Sequence, residues 1–160
     1  MSTKPQQKSQ SRHAPAARAG SPLRGNTILF LGIAIALGLF AIQARQLWFT
    51  QDDAYISYRY ARNALDGQGL VFNTGERVEG YTNFLWVIWL IAAGRLGVGF
   101  DLAAKVLGIL SAAGMIVLAA LLCRRAWEAV SHSPGHWAGA AGAILLGVNG
   151  SFAYWSISGL

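Results

Sequence analysis

The sequence predicts an all-α, polytopic integral membrane protein, and three observations carry that expectation. Of its 160 residues 54% are hydrophobic and 12% charged, against roughly 25% charged in an average soluble domain. The apolar residues are gathered into four long runs rather than dispersed, as a lipid solvent requires. Basic residues are also placed asymmetrically. Lys4, Lys8, Arg12, Arg18 and Arg24 precede the first run with no acid among them, which puts residues 1–26 in the cytoplasm by the positive-inside rule. The Ser, Gln, Pro and Ala around these charges read as a disordered arm. It lacks interleaved aromatics, so no nucleic-acid partner is expected.

The first run, 27–48, would form a helix about 32 Å long, enough to cross a hydrocarbon core of ~30 Å. It leads into Arg45, Gln46 and Trp48 rather than a small-residue cleavage site, so it reads as a retained anchor and not a signal peptide. Residues 49–101 then form an external loop with juxtamembrane helices. Within it, the second run (84–98) is shorter than the ~20 residues of a crossing, and Trp86 and Trp89 suit the interface. The third run, 102–123, is the second membrane helix. Residues 124–137 make a cytoplasmic connection, and the Gly- and Ala-rich 138–155 is a third membrane helix suited to close packing. If all four runs crossed, Arg124 and Arg125 would fall outside, against the charge rule; a surface-lying 84–98 returns them to the cytoplasm. A short, tilted crossing is the alternative. The single cysteine, Cys123, lies in an apolar run and reads as a small buried hydrophobe. Three crossing helices make a thin bundle, so the chain reads as the front of a larger protein, truncated after 160. Further C-terminal helices or partner subunits are expected.

The external loop carries the chemistry. Between residues 49 and 83 its acids are Asp52, Asp53, Asp66, Glu76 and Glu79, and its basic residues are Arg59, Arg62 and Arg77. Thr50 and Asp53 have the spacing of a capping box, and Gly67 and Gly69 supply a stop. At 100° per residue Ala54, Tyr58, Ala61 and Leu65 share one face of the helix between them. Asp52, Tyr55, Arg59 and Arg62 share the other. Paired acids beside a bilayer are costly and ask for a reason. Arginine grips phosphate as a permanently charged fork, so Arg59 and Arg62 are candidate donor-phosphate contacts. A carboxylate such as Asp52 or Asp53 can take the proton of an attacking hydroxyl. Tyr55, Tyr58 and Tyr60 have rings able to stack on a sugar or to sit at the interface. Acids in a first helical turn are equally explained by capping and the macrodipole, and that reading stands open here. The glycines of 67–75 match neither a Walker nor a dinucleotide pattern and read as turn formers. His132 and His136 flank Pro134, which breaks the helix that would align them on a metal.

The stretches from Asp52 to Asn63, Gly67 to Asn73 and Glu76 to Trp86 resemble the first external loop of bacterial GT-C glycosyltransferases. They are most similar to the group containing mycobacterial arabinofuranosyltransferases, and the run from Trp155 to Leu160 is similar to a family segment at an outer helix end. The resemblance implies a GT-C-like N-terminal helical module in the bacterial cytoplasmic membrane. It implies a polyprenyl-phosphate-sugar donor and a cell-envelope glycan or lipid acceptor, with membrane lipids around the protein. No cofactor is certain, and a divalent cation is compatible with the family. The family's acidic pair matches Asp52 and Asp53, the first as base. Its next acid, in the acceptor or metal region, matches Glu79, and a basic residue at the following helix start matches Lys105, a donor-phosphate contact. Family members have about a dozen helices, so a 160-residue chain is expected to be inactive in isolation.

Two other readings stay open: a transporter or lipid-handling fragment without catalysis, and an inactive truncated remnant. The topology yields its own test. A cysteine at Thr74 is expected to react with an impermeant maleimide in intact cells, and one at Ser131 only after permeabilisation. Labelling of position 131 from outside would overturn the surface placement of 84–98.

Overall fold

The computed structural model describes residues 22–76 and 78–160, so most of the basic arm and Arg77 lie outside the described residues. Among the described residues six helices follow in order: α1 Pro22–Gln46, α2 Ala54–Leu65, α3 Phe84–Arg95, α4 Phe100–Ser131, α5 His136–Gly147 and α6 Gly150–Ile157. No strand occurs among the described residues, in agreement with the all-α expectation. Helix α1 begins at Pro22, inside the expected arm. Proline is favoured in a first turn because its missing N–H has no helical partner to lose.

Two helices, Gly25–Gln46 and Phe100–Ser131, are long and apolar enough to cross a membrane, and the bent pair α5–α6 passes the same test as one span. Only 28% of the most apolar stretch of the first, and 17% of that of the second, is buried inside the protein. Phe30, Leu31, Leu110, Leu118 and Leu122 are among the exposed side chains. So much apolar surface needs an apolar solvent; the chain is a multi-pass membrane protein. Helix α3 has 12 residues, about 18 Å, well short of a bilayer core.

The two later helices depart from their expected bounds. Helix α4 runs to Ser131, so the expected 124–137 connection shrinks to residues 132–135. Arg124 pairs with Glu128 one turn on at 2.9 Å, which favours helix. The chain turns only at His132, in the left-handed region with φ 51°. The expected single helix 138–155 is broken at Val148–Asn149 by a 62° bend. Asn149 caps the new helix by accepting from the Phe152 N–H at 2.9 Å. The Gly147 carbonyl accepts from Gln43 Nε2 at 2.7 Å. Gln43 is thus the polar group in α1 that satisfies the broken backbone, a necessity where no water is at hand.

Small residues bring the helices together. Helix α5 lies between α1 and α4, with Gly32 against Ala140, Gly147 against Ala36, and Gly142 against the Cys123 sulfur. Gly108 of α4 touches the Ser156 carbonyl of α6. Cys123 therefore fills space between helices. A second core packs α2 and α3 on the start of α4 around Ala54, Tyr58, Tyr60, Ala61, Val87, Leu90, Ala103 and Ala104.

The close α4–α6 approach predicts that Gly108→Ala, whose Cβ has no space, loses about 1–3 kcal/mol. Gly114→Ala on the same helix meets nothing within 4 Å and is expected to change stability little. Thermal unfolding of the two variants in one detergent measures the difference.

Candidate functional site

Helix α2 divides as its periodicity predicts. Ala54, Tyr58 and Ala61 are buried, Leu65 is half-buried, and Asp52, Tyr55, Arg59 and Arg62 are exposed. The exposed face opens into a cleft of about 620 Å³ lined by Asp52, Tyr55, Ile56, Tyr58, Arg59, Arg62, Phe72, Phe100 and Asp101. One carboxylate and both arginines named from the sequence are thus gathered around one space. Asp53 is exposed beside it and does not line it. Glu79 lies elsewhere, in a recess of about 350 Å³ with Gln68, Val78 and Tyr81. The two spaces share no lining residue. Burial, and then the charge of Glu79, push the Tyr81 hydroxyl pKa upward.

The two arginines are not equivalent. Arg59 Nε donates to the Phe72 carbonyl at 2.7 Å, and its terminal nitrogen donates to Asn73 Oδ1 at 3.1 Å. Its guanidinium also lies 4.5 Å from the Phe72 ring centre. Asn63 adds bonds to the Val71 and Phe72 carbonyls, so this side of α2 straps down the loop after it. Positive φ values of 79° and 83° at Gly67 and Gly69 let that loop turn. Arg62 rests on the Phe100 ring at 5.3 Å and makes no ion pair among the described residues. It is the guanidinium left for a ligand.

The tyrosines also separate. Tyr60 is 1% exposed; its hydroxyl donates to the Val78 carbonyl at 2.8 Å and accepts from the Gly80 N–H at 2.9 Å. It is a strut, with no face to offer a sugar. Tyr58 is buried too, leaving Tyr55 as the exposed ring at the cleft. The Tyr58 hydroxyl has no hydrogen-bond partner among the described residues. Burial first, then the charge of Asp101 and the nearby Tyr55, push its pKa up to about 12.

The capping box is not formed. Asp53 precedes α2 without a side-chain cap bond, and the Thr50 hydroxyl turns to α4, where it donates to Asp101 Oδ1. Lys105 Nζ donates to Thr50 Oγ1 at 2.6 Å and to both Asp101 oxygens at 2.7 Å. A buried ammonium needs acceptors more than exposed first-turn amides do. Lys105, read as a phosphate contact, is held in this cluster and does not line the cleft. Asp101 does line it and escaped the sequence reading. The available signal was an acid four residues before Lys105 in a first helical turn. Among the described residues no three His, Cys, Asp or Glu side chains come together as a metal ligand set. His132 closes α4 and His136 opens α5.

The resemblance read from the loop has independent support. A terminal beta-(1->2)-arabinofuranosyltransferase of Corynebacterium glutamicum is 37% identical over 119 residues, 64% of this chain and 17% of that protein. A protein of the same name from Mycobacterium tuberculosis is 37% identical over 93 residues, 56% of this chain and 15% of its own length. The chain is similar to terminal arabinofuranosyltransferases. It spans less than a fifth of these curated relatives, and no family model or solved structure matches it.

The Tyr58 hydroxyl gives a measurable expectation. With its folded pKa near 12 and an unfolded value near 10, it adds no pH dependence below about pH 10. Stability then falls as pH rises from about 10 to 12, because the unfolded chain loses that proton first. Tyr58→Phe is expected to remove this part of the alkaline decline, as read by unfolding across that range.

Proposed function

We propose that the chain forms part of a membrane glycosyltransferase that moves a sugar from a polyprenyl-phosphate donor to a cell-envelope glycan or lipid acceptor. The observation that carries the reading is the cleft on the exposed face of α2 lined by both Asp52 and Arg62. The similarity to arabinofuranosyltransferases supports sugar transfer in general, and an arabinofuranosyl donor is the specific form of the proposal. The protein acts at the outer face of the bacterial cytoplasmic membrane, with its N-terminus inside.

In this reading Asp52 takes the proton of the acceptor hydroxyl as that oxygen attacks the anomeric carbon. The bond from that carbon to the phosphate oxygen breaks, and the lipid phosphate leaves with the electron pair. Arg62 stabilises the growing charge on the leaving phosphate, an interaction strongest in the transition state. Tyr55 offers its ring to the sugar face. Arg59 shapes the cleft wall through Phe72 and Asn73. Asp53 and Glu79 stand outside this space.

Asp52→Asn, introduced at the chromosomal locus so that any continuation of the chain is kept, is expected to cut transfer by about 10²–10⁴-fold. Binding of the polyprenyl-phosphate donor should be retained. Arg62→Met should weaken donor binding about tenfold or more. Unchanged transfer in Asp52→Asn with lost lipid binding in Arg62→Met would favour a lipid-handling protein.

A further inference from the structure

We infer that Lys105 is a positioning residue, which with Thr50 and Asp101 clamps the segment carrying Asp52 to the start of α4. The inference rests on the reading of Asp52 as the reacting carboxylate, and the cluster itself is independent of that reading. An ammonium has three protons to donate. Lys105 directs them to Thr50 and to both oxygens of Asp101, and its side chain is 4% exposed. The Trp48 ring lies 5.2 Å from the same nitrogen. No donor is left for a phosphate unless the cluster opens. Because the Thr50 hydroxyl donates in turn to Asp101, the three groups form a closed ring of hydrogen bonds.

The ring joins two separate parts of the chain. Trp48 and Thr50 belong to the connection between α1 and α2, and Asp101 and Lys105 to the first turns of α4. The next residue, Gln51, is held from a third direction. Its N–H donates to the Ser158 carbonyl at 2.9 Å, and its side-chain oxygen accepts from the Tyr154 hydroxyl at 3.2 Å. Asp52 follows immediately. Its carboxylate thus leaves a backbone fixed at two consecutive residues, to α4 and to the end of α6. Asp101 serves at once as the counter-charge of Lys105 and as part of the cleft wall. Such anchoring sets the position of a reacting carboxylate without touching substrate, and small displacements there are costly to rate.

Thr50→Val is the decisive variant, because it leaves the Lys105–Asp101 pair intact within α4 and cuts only the link to the Asp52 segment. Lys105→Met is its companion. Both are made in the whole gene product, any continuation of the chain included, with Cys123 and any other cysteine replaced by serine, reconstituted in nanodiscs, with spin labels at cysteines replacing Asp53 and Val106. The parent with the clamp intact is expected to give one narrow distance distribution, and both variants one at least twice as broad. Binding of polyprenyl monophosphate, followed by tryptophan fluorescence in unlabelled protein, should stay within twofold of the parent. In the same unlabelled protein the transfer kcat should fall about tenfold or more with little change in donor KM. A narrow distribution in Thr50→Val, or a tenfold loss of polyprenyl-monophosphate binding in Lys105→Met at unchanged distance, would overturn the clamp and make Lys105 a phosphate ligand. Broadening in variants of a parent that shows no transfer would uphold the clamp and sink the glycosyl reading.

Discussion

A lysine ammonium buried where α1 hands over to α2 is the constraint on which the end of the molecule carrying α2 depends. Burying such a charge costs several kcal/mol unless acceptors surround it, and Thr50 and Asp101 are the acceptors supplied. Meeting that need draws the α1–α2 connection against α4. It thereby decides where α2 begins and which way its charged face looks. The cleft follows from the same placement, since Asp101 and Phe100 of α4 line it together with Asp52, which precedes α2, and Arg62 of α2.

The rest of the bundle is ordered by absence of bulk. Glycines in α1, α4 and α5 let backbones approach to contact, the packing expected where lipid supplies no hydrophobic drive between helices. The break between α5 and α6 carries a backbone cost, met by Asn149 as cap and by Gln43 from the neighbouring helix. Through this bend the end of α6 reaches the α1–α2 connection. The Ser158 carbonyl takes the Gln51 N–H, and the Gly159 carbonyl takes the Trp86 indole N–H at 3.1 Å. Helix α3 and the last residues are thus part of one support for the loop that holds Asp52.

Much of this was legible from run length and periodicity. The two long spans and the short α3 follow from the lengths of their apolar runs, and the division of α2 into a buried and a charged face follows from apolar residues spaced at 3.6 per turn. What escaped was decided by contacts distant in sequence. Nothing local marks Thr50 as a partner of Lys105 rather than a cap, 55 residues apart. The break at Asn149 was hidden because Gly and Ala populate membrane helices freely, and only the Gln43 side chain, 104 residues from Gly147, makes it tolerable. Arg59 and Arg62 look alike in sequence. Only the path of the loop at Phe72 and Asn73 makes one a strap and leaves the other open. Tyr60 was offered as a sugar platform and is a buried strut, since the sequence does not say that residues 78–80 fold back over it.

The central claim is that the Asp52–Arg62 cleft receives a phosphate-linked isoprenoid sugar. Photo-crosslinking with a polyprenyl-phosphate probe carrying the reactive group beside the phosphate, followed by peptide mapping, tests it most directly. Adducts on Tyr55, Ile56, Arg62 or Phe100, competed by unlabelled polyprenyl phosphate, are the predicted result. Adducts confined to the lipid-facing surfaces of α1 and α4, or insensitive to competitor, would contradict it.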